Sequence, residues 1–195
     1  MLSLVAAATL TPVSVDECKL DLRIDQTYDD SYIESLIIAA TEYVGGRDGL
    51  LGNKLLINQT WNYSTGGVDS NSCLALPFSP VSSIVSISYY DGDETLQTLT
   101  VSDYNLFSDE DYAYLKPKTG NTWPTIYNRP DGITIQFVAG FGSAAADVPA
   151  NITRAIRLIV AHWYENRTAV TFGQAKELPM AADSLINMSR KGWIA

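Results

Sequence analysis

Residues 148–170 read VPANITRAIRLIVAHWYENRTAV, the longest uninterrupted helical pattern in the chain. Pro149 suits a helix start, because its ring fixes φ near the helical value and the N–H it lacks would find no partner in a first turn. Ile152, Ala155, Ile156, Ile159, Val160 and Trp163 then recur three and four apart, so one face of a helix is apolar. Arg154, Arg157 and Glu165 fall on the other side. A helix patterned this way has a core to build, and the rest of the chain is read by what it could supply to that core.

Upstream, Ser14-Val15-Asp16-Glu17 has the Ser-x-x-Glu spacing of a capping box, predicting a short helix to about Leu22 or Arg23. Asp29 or Asp30 can cap a second helix, carried by Ile33, Leu36, Ile37, Ala40, Tyr43 and Val44 and ended by Gly45-Gly46. After Gly52 the period changes to two. Strands are expected over residues 55–63, 73–76, 84–90, 95–101, 104–107, 112–115 and 133–139, with Asp91-Gly92 supplying a positive-φ hairpin turn. Such spacing makes a small, mostly antiparallel sheet, and the fold class is α+β. Residues 117–130, PKTGNTWPTIYNRP, form a loop in which Trp123 and Tyr127 serve as contact anchors or fold back over the sheet. Pro179 opens a last short helix with Met180, Leu185, Ile186 and Met188, and a tail ending in Trp193-Ile194 follows a stretch, 172–176, expected to be flexible.

With 195 residues, 46% of them hydrophobic, the chain can bury a core without staples. Its two cysteines, Cys18 and Cys73, make neither a metal pattern nor a disulfide framework and read as buried thiols. The apolar start LSLVAAATL lacks a preceding basic residue, so it is expected to be an arm or strand rather than a signal peptide. No stretch is apolar for long enough to span a bilayer, and the Asn-x-Ser/Thr triplets at Asn58, Asn62, Asn151, Asn166 and Asn187 are read as chance matches. Net charge is -9, unevenly spread: residues 1–148 hold 7 basic and 19 acidic side chains, residues 149–195 hold 6 and 3. An acidic body argues against gripping DNA through its phosphates and leaves either a solvated surface or complementarity between stacked partners.

No motif carries chemistry. Gly140-Phe141-Gly142-Ser143-Ala144-Ala145 imitates a dinucleotide loop, but the helix begins too late to aim its N–H groups at a pyrophosphate. His162 is the only histidine, which excludes a His-based metal cluster, and no Gly-x-Ser-x-Gly elbow exists for it to activate. Asp109-Glu110-Asp111 reads as a solvated hairpin tip rather than a cation site. Catalytic, cofactor and metal sites are therefore expected to be absent.

Five segments together resemble the head-tail connector, or adaptor, proteins of tailed double-stranded DNA phages and gene transfer agents. They are PVSVDECKLDLRID (12–25), LPFSPVSSIVSISYYDGDE (76–94), the Tyr104 region with Trp123-Pro124, RPDGITIQFVAGFG (129–142) and the opening helix, and they are collinear over nearly the whole chain. The resemblance implies a helical adaptor core, made of two N-terminal helices and the long C-terminal one, with a β-rich insertion. In those terms residues 1–48 hold the arm and first helices, 49–142 the insertion, 143–178 the long helix and a loop, and 179–195 the C-terminal helix and tail. It further implies a virion protein of the neck, assembled in the host cytoplasm as a ring, twelvefold to match the portal. That ring extends the DNA channel without reading sequence, docks a stopper or tail-completion protein and has no membrane contact. Relatives engage the portal through the C-terminal helix and tail, which points to Leu185, Ile186, Met188, Arg190, Lys191, Trp193 and Ile194. Arg154, Arg157, Trp123 and Tyr127 are candidates for contacts between subunits. Two other functions compete: a carbohydrate- or receptor-contacting virion module built on Trp123 and Tyr127, and a hydrolase using His162.

Overall fold

The computed structural model describes residues 1–68, 73–167 and 179–190. They divide into two compact units: a sheet unit of Met1–Ala8 and Asn58–Phe141, and a helical unit of Thr9–Ile57 and Gly142–Ala195. The architecture is α+β, with the helices in one unit and antiparallel strands in the other.

In the helical unit, α1 (Val15–Leu22) begins with the expected capping box, in which Glu17 N–H donates to Ser14 Oγ and Ser14 N–H donates to the Glu17 carboxylate at 2.8 Å. The second helix, α2 (Asp30–Val44), buries Ile33, Ile37, Ala40 and Val44 and stops at Gly45-Gly46, where Gly46 takes φ +86°. The hub is α3 (Ala150–Glu165), which packs against α1, α2 and α4 (Met180–Ser189). Ile152, Ala155, Ile156, Ile159 and Val160 are all buried, while Trp163 is half-buried and meets Tyr43 edge-on at 5.8 Å. Pro149 caps this helix instead of opening it: its ψ of 136° is not helical, and its carbonyl accepts from the Ile152 and Thr153 N–H groups. The helix ends at Glu165, and residues 168–170 lie outside the described ones.

The sheet unit holds two sheets where one was expected. The larger has the order β1-β2-β8-β4-β5, built from β1 (Leu2–Ala6), β2 (Gln59–Thr65), β4 (Val81–Tyr90), β5 (Leu96–Leu99) and β8 (Ile133–Ala139). The smaller has the order β3-β7-β6, from β3 (Leu74–Ala75), β6 (Tyr104–Ser108) and β7 (Ala113–Pro117). Central β8 alternates strictly, with Ile133, Ile135, Phe137 and Ala139 buried. The apolar start of the chain is a strand, and its place is the edge of the larger sheet, against β2.

Two local expectations need correction. The strand predicted over residues 55–63 begins only at Gln59, because Leu55, Leu56 and Ile57 are buried in succession, which a strand with one wet face cannot do. These three belong to the helical unit, where Leu56 lies over Gly45 so closely that a Cβ there would come within 2.8 Å of it. At the β4–β5 hairpin, the left-handed residue is Glu94 at φ 57°, not Gly92. The loop closes on Asp91 and Thr95, not on Tyr90 and Asp93: Asp91 N–H donates to Thr95 O, and the Asp91 carboxylate collects the Asp93 and Thr95 N–H groups at 3.0 Å. Three residues then span the turn, and the left-handed position falls on the third.

Candidate assembly interface

The charged side of α3 is already engaged with α1. Arg157 forms a two-pronged pair with Asp21, Nε and a terminal nitrogen each at 2.8 Å from a carboxylate oxygen, and Arg154 adds a contact at 2.7 Å. Both guanidiniums share the Asp21 carboxylate, and the Glu17 carboxylate also feels Arg157. Arg154 keeps 48% of its side-chain surface and Arg157 24%, so of the two arginines among the four expected subunit contacts Arg154 is the more accessible and Arg157 chiefly holds α1 to α3.

At the far end of α3, Tyr164 donates its hydroxyl to Asp29, and Arg167 reaches the same carboxylate oxygen at 3.2 Å. The Arg167 guanidinium also lies 4.7 Å from the Tyr32 ring centre and 4.8 Å from that of Tyr164. The hydrogen bond to Asp29 pushes the Tyr164 hydroxyl above the usual tyrosine range, with burial and the carboxylate's charge acting in the same direction.

The helix α4 is mounted on one face and bare on the other. Ala182 and Ile186 are buried and Leu185 is half-buried, whereas Met180 and Met188 are 87% and 77% exposed and Arg190 is exposed. Its C-terminal end is held by two side chains that no sequence pattern marked for this role. Lys54, only 3% exposed, donates from Nζ to Ser189 O at 2.8 Å, placing a cation where the helix dipole is negative. Asn151 of α3 donates to Leu185 O at 3.2 Å and to Ser189 Oγ. Of the expected portal contacts, Ile186 is therefore core in this structure: it sits on the stripe that packs α4 against α3, and the exposed row of the helix is offset from it. Lys191, Trp193 and Ile194 lie outside the described residues, as does the stretch 172–176.

Both loop aromatics fold back on the sheet unit. Trp123 packs against Tyr104 with ring centres 4.6 Å apart and planes tilted by 34°, and it is half-buried. Tyr127 donates its N–H to Tyr90 O, and its hydroxyl is hydrogen-bonded to Glu94, which raises its pKa above the usual tyrosine range. A different aromatic surface is open instead. On the outer face of the three-stranded sheet, Phe107 stacks on Tyr114 at 5.0 Å, and with Cys73, Ala75 and Lys116 they line an open cavity of about 380 Å³. The alternation of buried Ala113 and Leu115 with exposed Tyr112, Tyr114 and Lys116 was the available signal for it.

The weighed chemical motifs have structural occupations. A Cβ on Gly142 would sit 2.0 Å from Asp147 Oδ2, and that carboxylate accepts the Ala144 N–H at 2.9 Å, so the loop's own acid fills the place an anion would need. His162 is half-buried beside Asn166, which donates to its backbone carbonyl at 2.8 Å. Asp109 closes the hairpin tip by accepting the Asp111 and Tyr112 N–H groups at 2.7 Å. Cys18 is buried, and burial pushes its thiol up to about 11; Cys73, expected to be buried, is only half-buried because it lies at the rim of the open aromatic face. Among the described residues no group of three or more His, Cys, Asp or Glu could hold a metal, and no helix is long and apolar enough to cross a membrane.

Residues 12–114, just over half of the chain, match the family model described as phage gp6-like head-tail connector protein. The whole chain superposes on a chain in the neck of the empty gene transfer agent particle with C6 symmetry, at a TM-score of 0.73 and 21% identity, covering 97% of that chain. A chain in the virion of the native gene transfer agent particle gives 0.71 at 22% identity, and one in the native neck with C12 symmetry gives 0.70 at 22%, each again over 100% of this chain and 97% of the other. These likenesses establish a shared fold. A comparison with curated proteins finds no match.

Proposed function

This chain belongs to the phage gp6-like head-tail connector family, and from that premise we propose that it is a structural adaptor in the neck of a tailed particle. Twelve copies form a ring beneath the portal, extend the exit channel and present a platform to the stopper or tail-completion protein. The observation that carries this reading is the family match, which takes in α1, α2 and most of the sheet unit. The full-length likeness to chains of gene transfer agent necks supports the location and the rotational symmetry. No chemical step is assigned to the protein. Double-stranded DNA passes through the ring, and an acidic body repels its phosphates, so the duplex slides instead of sticking.

The domain division proposed is a helical adaptor core interrupted by the sheet unit. Portal attachment runs through α4 and the residues after it, with Met188 and Arg190 as contacts within the described part and Leu185 at their border. Lys191, Trp193 and Ile194 are proposed as further portal contacts. Subunit contacts use Arg154, the more open of the two arginines on α3. A carbohydrate-contacting module loses its basis where Trp123 and Tyr127 are engaged by their own sheet.

The test uses portal-containing heads lacking this protein. Met188→Asp, on the bare side of α4, should leave the fold intact and lower retention on the heads by about ten-fold or more. Deletion of residues 192–195 should do the same. Full retention of both variants would refute the C-terminal attachment while leaving family membership in place.

A further inference from the structure

We propose that Asp29 is a two-position anchor, which either ties the end of α3 to the start of α2 or caps α2, but cannot do both. The chain contains its own comparison. Ser14, the N-cap of α1, has φ -89° and ψ 161°, and its side chain accepts a helix N–H. Asp29, the N-cap of α2, has a similar φ of -97° but ψ 1°, and its side chain caps nothing. Aspartate is among the strongest N-cap residues, and its capping geometry requires the extended ψ seen at Ser14.

The carboxylate is diverted by named groups. Tyr164 and Arg167 both donate to its Oδ2, and Arg167 is braced between the Tyr32 and Tyr164 rings. The Ser31 and Tyr32 N–H groups, which a capping Asp29 would serve, have no partner among the described residues, although Ile33 N–H already bonds Asp29 O at 2.9 Å. Turning ψ of Asp29 to the extended value thus exchanges the tertiary tie, together with the Asp30 N–H to Thr27 O turn bond at 3.2 Å, for a helix cap. Because the Arg167 side chain is 52% exposed while that of Asp29 is 12% exposed, the accessible half of the tie is the guanidinium. A carboxylate from outside that took Arg167 would leave Asp29 held by Tyr164 alone, shifting Asp29 toward capping α2 and loosening the last turn of α3. This conformational device goes beyond the adaptor reading and does not depend on it.

The test is amide hydrogen exchange by NMR on the isolated full chain. In the double variant Tyr164→Phe, Arg167→Gln, the Ser31 and Tyr32 amides should exchange about five-fold more slowly, as expected for a newly made cap, while the last-turn amides of α3 exchange faster. Arg167→Gln alone should move both sets in the same directions by less. Asp29→Ser, a residue able to cap but too short for the tie, should protect the same two amides. Unchanged or faster exchange at Ser31 and Tyr32 in the arginine variants overturns the proposal, and leaves Asp29 a plain tether. Failure of Asp29→Ser to protect them overturns it as well, because the start of α2 would then be unable to adopt the capped geometry.

Discussion

Ser14 and Glu17 show how much a single pair of residues settles. Replacing Ser14 with Ala removes the acceptor for Glu17 N–H and should cost about 1 kcal/mol of stability in urea denaturation. Glu17 itself is held below the usual carboxylate range, first by the Ser14 backbone N–H and then by its hydroxyl, against the opposing effect of burial. Its contribution is therefore complete above the ordinary Glu range and is lost as pH falls through the depressed value, so Glu17→Gln should flatten the acid limb of the stability profile. Tyr164 works at the opposite end: its raised hydroxyl contributes fully below about pH 10 and loses that contribution as pH rises through the raised value. Tyr164→Phe should remove that alkaline loss, followed in the same denaturation series. Cys18, with its thiol at about 11, should resist alkylation at neutral pH until the chain unfolds. The capping box was legible because it is local in sequence. The diversion of Asp29 was not, since its partners lie 135 and 138 residues away and nothing in the local pattern marks them.

Among the elements, α3 was the most legible, because an apolar stripe on a helix repeats over several turns and survives local exceptions. Ile156 is fully buried at its centre, and Ile156→Ala should cost about 2–5 kcal/mol by the same denaturation measurement. Strand positions were readable where only one face is buried, as in β8. They failed at Leu55-Leu56-Ile57, where burial on all sides erases the alternation. The mounting of α4 was invisible for another reason: Lys54 is a lone basic residue in a turn-rich stretch, and only the fold brings it to the helix end. Lys54→Met keeps the stem packed but strips the donor from Ser189 O. It should destabilise the protein by about 1–3 kcal/mol and raise hydrogen exchange in α4 more than in α1. Equal effects on both helices would mean that Lys54 matters to the whole unit and not to the mounting.

For the whole molecule, the division into a sheet unit and a helical unit has a sequence counterpart in the change of periodicity after Gly52, and the acidic excess is concentrated before α3. Partners leave no such mark, because a docking surface is defined by what covers it; the collinear segments that resemble connectors carried the functional reading, and the family match to residues 12–114 supports it. The bare methionines of α4 and the open aromatic face of the small sheet are two exposed apolar surfaces among the described residues. Electron cryo-microscopy of intact particles, with this chain located in the density, tests the adaptor assignment most directly. The account predicts twelve copies in a closed ring between portal and tail, with α4 directed to the portal. Density at the tail tip or on the capsid surface, or a neck ring lacking this chain, would contradict it.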